Sequence, residues 1–210
     1  MVVNFFGTDK TFELDDNIET YLTETLKDKL DNEKTLTDKW WYGRSKAPYS
    51  EEKKQELLSE EGLIENKNNY TANSSYFSFN QHQEDEGSTG RTNKSFCPEL
   101  FTFLEKHFNG VNDTVNILWY DGDGYVGNHH NAYDFTKEST YYCSFVYCEE
   151  DDKSFFKYYD RDNDEVIVHK NKKGWSLNIF KVGTIDKTNP HCVVSYCERM
   201  SIVIEANGIK

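Results

Sequence analysis

Between Phe12 and Leu30 the apolar residues Leu14, Ile18, Tyr21, Leu22, Leu26 and Leu30 recur at helical spacing, with Asp and Glu between them. That spacing predicts one amphipathic helix lying on the surface of a core. A second helix is predicted from Ser50 to Leu63, where Ser50 can cap the first turn and Gly62 lies near the end. Pro98 suits a first helical position, and Leu100, Phe101, Leu104 and Phe108 carry the helical period to a stop at Asn109-Gly110. After that the period changes from helix to strand. Val115, Ile117 and Trp119 alternate with Asn116 and Leu118, and Tyr141 to Tyr147 is a continuous, largely aromatic run. Phe155 to Tyr159 and Val166 to Val168 flank a turn at Asp160-Arg161-Asp162-Asn163-Asp164, and Trp175 to Phe180 and Met200 to Ile204 complete the series. Short strands separated by turn signals at near-regular spacing indicate a sandwich or barrel-like double sheet. The expected fold is α+β: a double-stranded β-helix (jelly-roll) core over residues 96–210, preceded by N-terminal helices.

Residues 66–95 are rich in Asn, Ser, Gln, Gly and acids, which argues for loops and places a boundary near Asn93. Residues 1–95 then form an N-terminal helical and loop extension. Within it, Trp40-Trp41-Tyr42-Gly43-Arg44 is an aromatic cluster whose first reading is core packing and whose second is a stacking platform for a base or ring.

The chain has 210 residues, the size of one domain with a real core. Its formal charge of −13 is spread over acidic clusters that read as solvated faces. Such a surface opposes non-specific binding of phosphate backbones, so a nucleic-acid partner needs a local basic patch. The compact candidate is Lys170, Lys172 and Lys173, which reads first as a solvated turn. Five cysteines, Cys97, Cys143, Cys148, Cys192 and Cys197, form no CxxC pair and no dense framework, which favours a reducing compartment. The first residues lack the basic start and long apolar run of a signal peptide, and no stretch approaches a membrane span. The expectation is an intracellular protein, cytoplasmic or nuclear, with no membrane contact and its oligomeric state open. Sequons such as Asn69-Tyr70-Thr71 are then idle.

The chemistry concentrates in Gly127-Asn128-His129-His130-Asn131, read with Asn189-Pro190-His191 and Arg199. Two His and a carboxylate on one face hold iron in mononuclear oxygenases and leave positions open for cosubstrate and oxygen. His129 is the preferred first ligand and His191 the second, with His130 the alternative for the first. The residue two after His129 is Asn131, whose neutral carbonyl oxygen is a weaker ligand than a carboxylate; the nearest carboxylate is Asp134. A planar guanidinium such as that of Arg199 makes parallel charge-assisted bonds to a carboxylate. The carboxylates of Asp160 to Asp164 alternate like the start of a calcium loop, but Glu165 stands where Gly is needed and Asn171 where Glu is needed, so a hairpin turn is expected. Cys192 and Cys197 flank the second His segment and would be redox-sensitive if exposed, although buried strand cysteines are commoner.

In order, Cys97-Pro98-Glu99-Leu100-Phe101, Leu118-Trp119-Tyr120-Asp121-Gly122-Asp123-Gly124 leading to His129, Lys173-Gly174-Trp175 to Phe180, Pro190-His191-Cys192-Val193 and Glu198-Arg199-Met200-Ser201-Ile202 resemble the Fe(II)/2-oxoglutarate-dependent oxygenases, with the AlkB-like branch most similar. The resemblance covers the C-terminal half. It implies Fe(II) and 2-oxoglutarate as cofactors, His129, Asn131 and His191 at the metal (alternatives His130 and Asp134), Tyr120 hydrogen-bonded to the cosubstrate and Arg199 paired with its distal carboxylate. Three positions depart from the family: its acidic ligand falls on Asn131, an expected Asn on Leu118, and a second Arg on Glu205. The implied activity is hydroxylation or oxidative demethylation of a nucleobase-type substrate, with the extension as a lid and Trp40, Trp41 and Tyr42 stacking on a flipped base. The alternatives are a prolyl-type hydroxylase acting on protein and a non-catalytic jelly-roll binding module that has lost its metal.

Overall fold

The computed structural model describes residues 1–34, 40–42, 50–59, 74–75, 77–79, 91–129, 140–184 and 187–210. The first helical stretch begins at α1 (Asp16–Thr20), continues through a π-helical segment (Tyr21–Leu26) and ends as α2 (Lys27–Lys34). It starts later than the apolar spacing predicts because the Asp15 carboxylate accepts from the Asn17 N–H and caps it there. Ile18, Leu22, Leu26 and Leu30 are buried, whereas Phe12 and Leu14 precede the helix and pack against the same core. A strict four-residue spacing drifts by about 40° per step around an ordinary α-helix. The wider π turn counters that drift and keeps the four side chains on one face.

Ser50 caps α3 (Glu51–Leu58) through the Lys53 N–H, as predicted; the helix stops at Leu58, short of the expected Leu63, because Ser59 is already extended, and 60–63 lie outside the described residues. Helix α4 (Pro98–His107) ends one residue before Phe108, and Asn109-Gly110 is not its stop but part of a strand. The ladder overrides the turn propensity there: Phe108 pairs with Ile209 and Gly110 with Asn207, while the Phe108 ring is buried against Phe12 and Tyr141.

Among the described residues the strands are β1 (Val2–Phe6), β2 (Trp40–Tyr42), β3 (Ser74–Ser75), β4 (Phe77–Phe79), β5 (Arg91–Asn93), β6 (Phe108–Asp121), β7 (Tyr125–His129), β8 (Thr140–Cys148), β9 (Ser154–Asp160), β10 (Glu165–Asn171), β11 (Gly174–Thr184), β12 (Lys187–Thr188), β13 (His191–Ser195) and β14 (Glu198–Ile209). The main sheet has the order β1-β11-β8-β14-β6-β4-β2, with β12 beside β11 and β5 beside β6. The second sheet has the order β10-β9-β13-β7-β3. Every pairing is antiparallel except β1 with β11. Strand β1 went unassigned in the sequence because Val2, Val3, Phe5 and Phe6 form a short run without alternation.

Three apolar layers organise these elements. One face of the main sheet packs on the helices, bringing Leu22, Leu26, Phe103 and Leu104 against Ile117, Phe145, Leu177 and Ile202. Its other face meets the second sheet, bringing Phe6, Tyr120 and Phe180 against Phe156, Tyr158 and Val193. The outer face of the second sheet is covered by α3, where Leu57 packs with Tyr159, Cys192 and Val194. Two sheets face to face with helices on their outer faces make the α+β double-stranded β-helix expected from the strand pattern.

Helix α3 is tied down by charge. The fully buried Lys157 ammonium donates to the Leu57 and Ser59 carbonyls at its C-terminal end, and Lys54 pairs with Asp123. Beneath it lies Cys192, fully buried, its thiol pushed up to about 12 chiefly by burial. A hydrogen bond to a charged donor contributes about 1.5–3 kcal/mol, so Lys157→Met should speed Cys192 labelling by an aromatic disulfide about ten- to hundredfold through local opening of α3. The fast phase should vanish in Lys157→Met with Cys192→Ser. Equal labelling rates in Lys157→Met and wild type would mean that the lysine does not hold the helix.

Candidate metal and anion site

Strands β7 and β13 are neighbours, and their register sets His129 directly opposite His191. The ring centroids are 4.2 Å apart. His191 is buried, with Phe180 and Phe156 at centroid distances of 4.8 and 6.1 Å as its apolar walls. Each ring has its Nδ1 at a backbone carbonyl two residues earlier: His129 at Gly127, 2.7 Å away, and His191 at Asn189, 3.4 Å away. With Nδ1–H donating to a carbonyl, the lone pair sits on Nε2, the tautomer that binds a metal.

The approach to His191 is held by its neighbours. The Asn189 N–H donates to Val182, and the Pro190 carbonyl accepts from the Tyr159 N–H. The Tyr158 hydroxyl donates to the Lys181 carbonyl at 2.9 Å and accepts from the Asn189 side-chain amide at 2.6 Å. Burial, with the Asp160 charge adding to it, pushes the Tyr158 phenol up and keeps it protonated. Gly7, at φ +70, sits where a Cβ would run into the Tyr158 hydroxyl, so a side chain there would disturb this brace.

The other end of the interior is polar. Strand alternation turns Met200, Ile202 and Ile204 of β14 towards the helices and leaves Arg199 and Ser201 facing the second sheet. On β11, Trp175, Leu177 and Ile179 face the helices and Ser176 and Asn178 face inward. Arg199 is 2% exposed, and its guanidinium carbon lies 5.1 Å from the centroid of the Tyr120 ring, whose residue is its register partner on β6. Among the described residues, Arg199 Nε and Nη1 and the hydroxyls of Ser176 and Ser201 are buried without a hydrogen-bond partner. Leaving a guanidinium in that state costs several kcal/mol, which an anion placed against it would offset.

A ladder of amides also runs between the two sheets. The Asn4 amide donates to Asn178 at 2.9 Å and lies 3.3 Å from His169 Nε2; Asn178 donates to Asn171, which donates to Ser154. His169 is pushed below its ordinary value, by burial first and by the Arg199 charge second.

The structure thus brings His129 and His191 together at one place, and Tyr120 and Arg199 together at another. His130, Asn131 and Asp134 lie outside the described residues. Trp40, Trp41 and Tyr42 form β2, at the opposite end of the main sheet from β1. Among the described residues no group of three His, Cys, Asp or Glu side chains gathers as a metal site. The Asp160 carboxylate accepts from the Asp162 and Asn163 N–H groups and closes the expected hairpin turn. Lys172 is paired with Asp152 at 2.8 Å in a solvated turn. Cys192 and Cys197 are buried. The residues that the sequence did not bring forward are Ser176, Asn178, Asn4 and His169. Their signal is a polar side chain at the inward position of a strand whose other face is wholly apolar.

The fold and this geometry define a jelly-roll protein with a candidate metal position on one sheet and a candidate anion position on the facing one. No family model and no curated protein matches the chain. Solved structures it is similar to include a prolyl-4-hydroxylase from Pseudomonas putida, at 11% identity and TM-score 0.38 over 82% of this chain and 93% of that one. Others are the Drosophila melanogaster CENP-C cupin domain, at 2% identity and TM-score 0.30 over 66% and 71%, and vicilin from hazelnut, Corylus avellana, at 13% and 0.34 over 60% of this chain. The chain spans 32% of the vicilin chain. Likenesses at this level carry no statement about activity. Among the described residues no helix is long and apolar enough to cross a membrane.

Proposed function

We propose that this chain is an Fe(II)/2-oxoglutarate-dependent oxygenase. The observation that carries the reading is the buried Arg199, with two donor nitrogens lacking partners among the described residues, inside the same jelly roll whose other sheet sets His129 against His191. The donor set fits the group. Two imidazoles with their Nδ1 atoms at backbone carbonyls offer Nε2 to a first-row metal, and the oxygen donor would be Asn131 or Asp134, which follow His129 in the sequence. Arg199 would take the distal carboxylate of the keto acid, and Tyr120, stacked beside the guanidinium, would hydrogen-bond the same molecule. Phe156 and Phe180 keep water from the His191 side of the metal position. Iron and the keto acid, once bound, supply the oxidising chemistry; the chain's part is to bind, orient and exclude water.

Of the substrate classes the resemblance allows, a protein side chain is favoured over a nucleobase. A net charge of −13 repels a phosphate backbone, and Lys172, one of the three lysines of the basic candidate, is already paired with Asp152. Residues 1–95 are proposed to carry the substrate-facing extension. A binding module without metal is the reading to be eliminated.

The test is an anaerobic titration of the apoprotein with Fe(II) and 2-oxoglutarate, watching for the visible charge-transfer band of the chelated keto acid. The expected result is a band in wild type and none in His191→Ala or His129→Ala. A wild type that shows no band at saturating iron has no oxygenase site. Formaldehyde release from methylated oligonucleotides, without hydroxylation of peptides, would return the substrate to the nucleobase class.

A further inference from the structure

The jelly roll has a seam where the edge strand of each sheet meets the other. Strand β1 is the edge of the main sheet and β10 the edge of the second, and the seam is bridged by Asn4 and His169, with the Phe6 ring 5.6 Å from the imidazole. His169 is the register partner of Phe156, which points into the interior, so the imidazole lies on the inner side of the second sheet, facing the side of the main sheet from which Arg199 and Ser176 project. The inner faces therefore carry one permanent cation, one group able to become a second, and the hydroxyls of Ser176 and Ser201, which have no partner among the described residues.

Among the described residues, the groups packed around His169 leave Arg199 as the charge that acts on it. From β1 come Asn4 and Phe6, which do not titrate; from β9 comes Phe156, while Lys157 points away under α3. On its own strand, Lys170 alternates to the other face and its ammonium lies 5.9 Å from the Phe155 ring. An unneutralised guanidinium disfavours a protonated imidazole, and a carboxylate seated against that guanidinium removes the penalty.

We propose that His169 is a second recognition residue for the anion held by Arg199, taking up a proton as a dicarboxylate enters and so coupling cosubstrate binding to pH. The proposal rests on the 2-oxoglutarate reading of the Arg199 site. The direction follows from linkage. Free His169 is held below its ordinary value, so above that value the unliganded protein carries it neutral, and each bound anion draws in up to one proton. Affinity for 2-oxoglutarate should then fall with rising pH by up to about tenfold per pH unit across the window between the free and the ligand-bound titration. Below that window the imidazole is already charged and the dependence flattens. His169 is a positioning residue of the anion end, two strands from His191 and three from His129 in the second sheet.

The experiment is anaerobic isothermal titration calorimetry of the full chain with 2-oxoglutarate and Fe(II), in buffers of differing ionisation enthalpy at several pH values. Wild type should take up a fraction of a proton that rises and falls with pH, and His169→Gln should take up none, with an affinity that no longer varies through the window. The histidine ring resonances of wild type, titrated with and without 2-oxoglutarate, give a second readout that does not depend on the variant folding. One of them should shift its titration upward on binding and be absent from His169→Gln. Binding without proton uptake and without that shift overturns the role of His169 and leaves the oxygenase reading standing. Absence of 2-oxoglutarate binding in wild type overturns both.

Discussion

Replacing Arg199 by Met should abolish 2-oxoglutarate binding at concentrations that saturate the wild type, and at the same time raise the melting temperature of the apoprotein. The two effects have one cause. Arg199 is 2% exposed, and Nε and Nη1 have no partner among the described residues, so no described group offsets the desolvation cost of this cation. Exchanging a buried charge for an apolar side chain of similar volume is often neutral or stabilising by about 1–4 kcal/mol. For a chain of this size each kcal/mol shifts the melting temperature by about 2–4 °C. The lost contact with the Tyr120 face returns part of that gain, up to about 2 kcal/mol. On the binding side, removing one partner of a buried charge pair costs about 2–5 kcal/mol, roughly thirty- to several thousandfold in affinity. Thermal melts of the apoprotein and calorimetric titrations measure the two halves. A destabilised Arg199→Met that still binds 2-oxoglutarate normally would make the arginine a structural residue and remove the basis of the proposed function.

A buried cation on the inner face of a sheet is also hard to recognise before the fold is known. The apolar periodicity was sufficient for the helices around Leu22 and Leu100 and for strands β6, β8, β9, β11 and β14, because a buried face imposes its period on the chain. It failed at Phe108-Asn109-Gly110, where pairing with β14 outweighs a local turn preference, and at β1, where a five-residue strand carries no alternation. The site was legible in part. His191 and Arg199 stood out by residue type and order, whereas the meeting of His129 with His191 depends on the β7–β13 register, which no local pattern encodes. Asn4, His169 and Asn178 were invisible for the same reason: they come from the three strands β1, β10 and β11 and meet only because the N-terminal strand closes the seam.

That polar interior has an energetic consequence on the other side of the main sheet. Arg199, Ser201, Ser176 and Asn178 interrupt the inner face of the main sheet and leave a small apolar cluster there, so most of the buried apolar side chains lie in the helix-facing layer. Phe145, fully buried on β8 between Leu177 of β11 and Ile202 of β14, lies at the middle of that layer and meets the Phe103 ring of α4 edge to face at 6.5 Å. Phe145→Ala should lower the unfolding free energy by about 3–5 kcal/mol, from the lost transfer term and the cavity left behind. Against a total of about 5–15 kcal/mol this is enough to leave a marginal protein partly unfolded at physiological temperature. Ser144→Ala, one residue along and facing the interior, should change stability by less than about 1 kcal/mol, as should Val168→Ala on the exposed side of β10. Urea unfolding of the three variants decides the matter. Equal losses at Phe145 and Ser144 would mean that the interior of the jelly roll carries as much of the stability as the helix layer, and that its polar residues serve packing before binding.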